Sequence, residues 1–278
     1  MEVKPKIRLI GVDLDGTLLT DEKELCSGLE ETLKKARENG VYIVPVTGRP
    51  FQGIPECVRG LDVIDYVICS NGASIIDAKS KKRLYSFSMS NEKSREVFSV
   101  LKAARCIFEP FADGVCYTEQ EILDSYIGYF KGSPVEEYLR STRVICKSIE
   151  ALFTEEGKQA DEFFVMSENK AEREKITAAL DKIGGVQYWF YDDRYIEITK
   201  EDCDKGAALK TLCRHLGVSE SETMAFGDGD NDLSFLAAAG VSVAMGNAPE
   251  RIKEKADIIA DTNNNNGVGK MVEKILDN

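Results

Sequence analysis

Two aspartates, Asp13 and Asp15, stand two residues apart at the end of the apolar run Ile7–Val12, and Gly16 follows at once. In an extended chain residues i and i+2 face the same side, so both carboxylates point into one space. Two like charges this close repel unless a cation or a proton lies between them. Magnesium suits such a pair, because it takes oxygen ligands and keeps waters that a phosphate oxygen can replace. Taken alone, the pair reads more readily as an acidic turn with a helix cap. A second acidic loop, Gly227-Asp228-Gly229-Asp230-Asn231-Asp232, changes that balance. It also follows a β-rich run, its glycines let the backbone approach a ligand, and it lacks the spacing and terminal Glu of a calcium-binding EF-hand. Two acidic loops at strand ends of one sheet point to a shared cation site.

Other residues complement that site. Thr47 and the backbone N–H of Gly48 can donate to phosphate oxygens, and Lys205 opens a helix in Cys203-Asp204-Lys205-Gly206. An ammonium there adds to the positive end of the helix dipole. Each of these residues, alone, reads as a capping threonine or a surface lysine. Asp204 is a further acid beside that lysine and is expected to weaken the local positive potential.

The elements that must hold these groups follow from periodicity. Ile7–Val12, Val41–Val46 and Tyr66–Cys69 read as strands, ending respectively at the acidic pair, at Thr47-Gly48-Arg49 and at Ser70-Asn71-Gly72. Leu29, Leu33 and Ala36 mark a helix stopped by Gly40. The same alternation returns late in the chain: a helix over Lys205–Leu216, strands at Thr223–Phe226, Val241–Met245 and Asp257–Ala260, and helices at Asn231–Ala239, Pro249–Ala256 and Val268–Leu276. This is the grammar of a parallel α/β sheet, whose ligands sit at the carboxyl ends of strands. The middle differs. Strands at Arg83–Met89, Phe163–Met166 and within Val186–Thr199, a hairpin over Ile107–Thr118, and helices at Glu92–Ala104 and Glu168–Ile183 read as α+β. The expected organisation is a Rossmann-like, doubly wound parallel-sheet core (1–83 and 200–278) with an inserted α+β cap domain (84–199). Asn263–Asn266 is the one low-complexity stretch and reads as a polar loop.

In this order, the segments DLDGTL, VTGR, SNGASI, DKGAAL and GDGDNDLSFL resemble the haloacid dehalogenase (HAD) superfamily. The terminal NAPERIKEKADIIADTNNNNGVGKMV is similar to its Cof-type hydrolases, subfamily IIB, which carry a C2B cap. The resemblance covers 7–77 and 200–275; the cap is matched by position and size. It implies a magnesium-dependent phosphatase. Asp13 is then the nucleophile that forms an aspartyl-phosphate, and Asp15 the acid that protonates the leaving oxygen and later the base that activates water. Thr47 and Gly48 hold the phosphoryl oxygens, Asn231 contacts the phosphate, and Lys205 neutralises charge on Asp13 and the phosphoryl group. Magnesium is bound by Asp13, Asp228 and the backbone carbonyl of Asp15, with Asp232 supporting its waters and Lys205. Arg49, Asn71 and Gly72 line the same mouth. Sugar phosphates are the leading substrate class, with flavin and pyridoxal phosphates next. The alternatives are a phosphomutase of the phosphomannomutase type and a non-catalytic aspartyl-phosphate acceptor.

The resemblance implies a small phosphorylated metabolite as partner, and bulk composition argues against nucleic acid and membrane. The 278 residues carry 36 Lys and Arg against 48 Asp and Glu, a formal charge of −12. Such a surface repels nucleic acid and anionic lipid. No apolar run spans a bilayer and no signal peptide is evident, so a cytoplasmic protein is expected. Eight cysteines form no C-x-x-C and no zinc spacing, and read as reduced thiols. The single histidine, His215, lies on a helix surface. Tyr126, Tyr129, Phe130, Trp189 and Tyr191 are candidates for stacking on a substrate ring, against the plainer reading that they pack the cap.

Overall fold

The computed structural model describes residues 6–190 and 193–276. The chain forms two compact units: one from the described parts of Met1–Gly48, Ile54–Tyr85 and Asp204–Asn278, the other from Arg49–Gly53 and Ser86–Cys203.

The first unit is built on a five-stranded parallel sheet. Its order is Ile258–Ile259, Val241–Ala244, Thr223–Gly227, Leu9–Val12, Tyr42–Pro45. The Leu9–Val12 strand lies between two neighbours and is buried throughout, which explains its unbroken apolar sequence. In its parallel register Val12 pairs with Phe226 on one side and Pro45 on the other. Asp13, Asp228 and Thr47 therefore leave the sheet within a residue of one another, along one edge. From the central strand the chain winds outward first one way and then, from Thr223 on, the other. That edge is the switch point where open α/β sheets bind ligands. A second, three-stranded sheet joins Tyr66–Cys69, Ser74–Asp77 and Arg83–Ser86. The helix Leu29–Glu38 ends before Gly40 (φ +81°) and Lys205–Leu216 before Gly217 (φ +63°).

The second unit is α+β. Its six-stranded sheet runs Val186–Phe190, Tyr195–Lys200, Glu162–Met166, Ile107–Ala112, Val115–Thr118, Arg143–Ile145, antiparallel except for the last pair. The expected hairpin turns at Asp113 and Gly114, both at positive φ as its tight turn requires. Helices Asn91–Ala103 and Lys170–Ile183 share one core with that sheet, through Val97, Leu101, Ile176 and Leu180 against Phe163, Val165, Ile196 and Ile198. Three further helices, Gln120–Tyr129, Pro134–Thr142 and Ile149–Thr154, and the short Arg143–Ile145 strand carry no sequence expectation; they are brief and mix apolar with charged residues. Residues 49–53, expected within the core, group here instead. Gln52 N donates to Gly114 O at 3.0 Å, and Arg49 stacks on Tyr138.

No helix among the described residues is long and apolar enough to cross a membrane. All eight cysteines are free thiols. Tyr126 is fully buried against Leu123, Ile127 and Leu139, so it serves packing rather than a ligand. Tyr129 is exposed and donates to Glu168. Tyr191 lies outside the described residues.

Candidate active site

At the switch point three carboxylates converge. Asp13, Asp228 and Asp232 each offer an oxygen, all within 4.8 Å of one another. Lys205, 1% exposed, enters the cluster from the first turn of its helix; its Nζ donates to Asp13 Oδ1 at 2.8 Å and to Asp232 Oδ1 at 2.6 Å. Burial alone would depress this lysine. Asp13 and Asp232 beside it more than reverse that and hold it well above the ordinary value.

The acids show the opposite strain. Burial pushes Asp13 well above the usual carboxylate range; Lys205 opposes this, while Asp232 and Asp228 add to it. Burial, reinforced by Asp232, raises Asp228 to about 6, against the Thr17 hydrogen bond and Lys205. Three carboxylates against one ammonium leave buried negative charge uncompensated. That donor set, all hard oxygen with an excess of charge, fits a divalent cation such as magnesium.

The remaining acidic residues are engaged. Asp232 Oδ2 accepts from the backbone N–H of Asp228 and of Gly229, both at 2.9 Å, so its carboxylate organises the loop as well as Lys205. Asp230 is turned onto Arg251, which grips both its oxygens at 2.9 and 2.6 Å. Asp15 is half-buried and its Oδ1 meets Lys23 Nζ at 2.8 Å. Gly16 sits at φ +82°, where a side chain would begin 2.4 Å from Asp228 Oδ2, so the turn after the acidic pair admits only glycine.

The neighbouring loops close on this cluster. Asn231 Nδ2 donates to Asn71 Oδ1 at 3.0 Å, bringing two of the expected residues together. Asn71 N donates to Thr47 O at 3.1 Å. Gly48 backs the Asn71 amide, which a Cβ there would crowd at 3.1 Å. Ser70, Asn71 and Gly72 all adopt positive φ, a conformation that costs energy for the first two and is held by the surrounding packing. At Gly72 a Cβ would lie 2.2 Å from Asp204 O, so this loop and the Lys205 helix touch backbone to backbone.

Asp204 has a local role that the sequence did not show. Its carboxylate is the N-cap of the Lys205 helix and accepts from Ala207 N at 2.8 Å. It thus satisfies a backbone donor that would otherwise be free, rather than projecting an unpaired charge into the site. Arg49 belongs to the second unit, where Nη1 donates to Gly53 O at 2.9 Å and the guanidinium lies 4.6 Å from the Tyr138 ring centre. Thr17 is a residue the sequence reading passed over. Its Oγ1 donates to Asp228 Oδ1 at 3.0 Å, and its place in Asp-Gly-Thr was the available signal. Lys23 had no local signal, because a turn brings it back to Asp15.

Comparison with known proteins agrees with this geometry. A family model described as haloacid dehalogenase-like hydrolase matches residues 10–272. The chain is 31% identical to the phosphatase YwpJ of Bacillus subtilis (strain 168), over 97% of this chain and all of that one. It is 27% identical to the pyridoxal phosphate phosphatase YbhA of Escherichia coli (strain K12), over 95% and 97% of the two chains. A solved haloacid dehalogenase-like hydrolase from B. subtilis superposes with a TM-score of 0.83 at 29% identity, over 96% of this chain and 99% of that one. The chain belongs to the haloacid dehalogenase-like hydrolase family, as a phosphatase.

Proposed function

We propose that this phosphatase is magnesium-dependent, acts on a small phosphorylated metabolite, most readily a sugar phosphate, and works through a phosphoryl group carried on Asp13. The observation that carries the reading is the buried Asp13 carboxylate, held by Lys205 at 2.8 Å within a cluster of three acids. Asp13, Asp228 and the backbone carbonyl of Asp15 would hold the metal, with Asp232 behind them positioning Lys205 and the loop. When bound, magnesium offsets the charge of the phosphoryl oxygens and so lets a dianion approach an anionic nucleophile.

The chain's own groups then divide the work. In the first half-reaction an Asp13 oxygen bonds to phosphorus while the bond from phosphorus to the ester oxygen breaks. Asp15 gives its proton to that oxygen and the alcohol departs. In the second, Asp15 as carboxylate takes a proton from water and the water oxygen bonds to phosphorus. The bond to Asp13 breaks, and inorganic phosphate leaves. Lys205 stays charged throughout and stabilises the transferring group. Thr47 Oγ1, the Gly48 N–H and Asn231 hold phosphoryl oxygens, while Asn71 and Gly72 shape the loop beside them. Lys23 Nζ, 2.8 Å from Asp15 Oδ1, holds that carboxylate in place.

A phosphate-release screen tests this directly. The panel holds sugar phosphates, pyridoxal 5′-phosphate (for which the E. coli relative is named) and flavin mononucleotide, each with magnesium and with chelator. Turnover is expected with magnesium, strongest on a sugar phosphate, and lost in Asp13→Asn while the circular dichroism spectrum is kept. Near-normal turnover by Asp13→Asn would remove Asp13 as nucleophile.

A further inference from the structure

The chain leaves the sheet after Asp13 as a tongue, residues 14–25, that carries Asp15. It is poorly supplied with strand partners: two isolated bridges, Asp15 to Leu19 and Leu19 to Leu25, and a turn closed by Thr20 N to Glu24 O at 2.9 Å. Its outward carbonyls and its turn are instead met by asparagines from the far end of the chain. Asn247 Nδ2 donates to Gly16 O at 2.8 Å. Asn263, 3% exposed, donates through Nδ2 to Leu19 O and to Asp21 Oδ1, each at 3.0 Å. Asn264 pairs with Asp21 in both directions: it accepts from Asp21 N at 3.0 Å and donates to Asp21 Oδ2 at 2.9 Å. The asparagines are themselves joined, since Asn263 N donates to Asn247 Oδ1 at 3.0 Å.

We propose that Asn247, Asn263 and Asn264, with Asp21, form an anchor that positions Asp15 for proton transfer; this rests on the reading of Asp15 as the acid and base. Two routes connect anchor to carboxylate. Asn247 fixes Gly16, the residue immediately after Asp15. Asn263 and Asn264 fix Asp21, which opens the turn whose Lys23 reaches back to Asp15 Oδ1 at 2.8 Å. The inner side of the tongue is held separately, by Thr17 on Asp228. Asparagine is the residue type this needs. A short amide donates and accepts at once, as Asn247 and Asn264 both do here, and a carboxylate in its place would face carbonyl oxygens it cannot bond. The asparagine run is therefore a built contact and not filler. Asn265, within it, is a natural control: among the described residues its side-chain amide meets Asp261, four residues earlier, at 3.3 Å, and not the tongue.

A misplaced proton donor has a signature that general loosening lacks. The rate of transfer to Asp13 should fall most for poor leaving groups, which need the proton, and least for p-nitrophenolate, which does not. The test is kcat/KM across aryl phosphates from p-nitrophenyl to p-methoxyphenyl, with magnesium, for wild type and for Asn247→Ala, Asp21→Ala, Asn265→Ala and Asp15→Ala. Asp21 is exposed, so its truncation leaves the core intact even if Asn247→Ala folds poorly. Asn247→Ala and Asp21→Ala are expected to lose roughly tenfold or more on p-methoxyphenyl phosphate and less than about threefold on p-nitrophenyl phosphate. Asp15→Ala should show the same pattern more steeply, and Asn265→Ala should match wild type. A steeper leaving-group dependence in Asp15→Ala alone, or equal losses on both esters in the anchor variants, would overturn the anchor and leave the acid assignment standing. No steepening in Asp15→Ala would overturn that assignment and the anchor with it.

Discussion

Replacing Lys205 by methionine isolates the electrostatics of the site from its packing. Methionine keeps most of the side-chain volume and removes the ammonium. In the wild type that ammonium lies 2.8 Å from Asp13 and 2.6 Å from Asp232, with Lys205 and Asp232 each 1% exposed. Deleting one member of a buried ionic group leaves the others uncompensated, at a cost of about 3–5 kcal/mol. The sign with pH follows from the acids. Asp13 is already raised above its ordinary value, first by burial, and losing Lys205 raises it further. Between its unfolded and folded pKa values the native state then binds more protons than the unfolded state, so stability falls as pH rises through that window. The variant should lose about 3–5 kcal/mol at pH 8 and clearly less at pH 5, measured by urea unfolding without divalent ions. At slopes of about 1–3 kcal/mol/M this moves the midpoint by about 1 M or more. The single tryptophan, Trp189, lies in the second unit, so its fluorescence reports that unit; far-UV circular dichroism must follow the first. A midpoint at pH 8 within about 0.3 M of wild type, or a larger loss at pH 5 than at pH 8, would refute the reasoning.

Two further outcomes are expected. Magnesium should stabilise the first unit by RT ln(1 + [L]/Kd), about 2.7 kcal/mol at a hundred times Kd, and Asp228→Asn should abolish that gain in a thermal melt; an undiminished gain would place the ion elsewhere. Asp204→Ser should keep the helix cap and cost only a few tenths of a kcal/mol, whereas Asp204→Ala should cost about 1 kcal/mol in urea unfolding; equal losses would mean that the cap contributes nothing.

The parallel sheet was legible because its strands are buried on both faces. Leu9–Val12 therefore reads as an unbroken apolar run with acid at its end, and the chemistry of the edge follows from where such runs stop. The same logic led to Thr47, Asn71 and Asp228; the structure places Asp228 beside Asp13 and joins Asn71 to Thr47 and Asn231 by hydrogen bonds. That logic failed where a role depends on long-range pairing. Asp230 looks like Asp228 in sequence, yet Arg251, in the short helix Glu250–Lys253 beyond the next strand, takes both its oxygens. Asp204 read as a stray acid because a capping carboxylate and an unpaired one look alike until the backbone of Ala207 is placed. Lys23 and the asparagines were invisible for the same reason: their partners are set by a turn and by residues more than two hundred positions away. The three extra helices of the second unit are short, six to ten residues each.

Local charge balance explains how a protein of net charge −12 can take an anion at all. Around the cluster most charge is already paired: Asp230 with Arg251, and Asp15 with Lys23. With all three acids ionised, Asp13, Asp228 and Asp232 against Lys205 give three negative charges and one positive, a sum of −2, and it is this excess, with burial, that raises Asp13 and Asp228. A bare site of that charge in a low-dielectric pocket would exclude a phosphate dianion, whatever donors line it. One divalent cation would bring the sum to zero, as the proposed approach of a phosphate dianion requires. A monovalent ion would leave the site negative. The count of buried charges is what supports the proposed divalent metal, before any detail of coordination is considered.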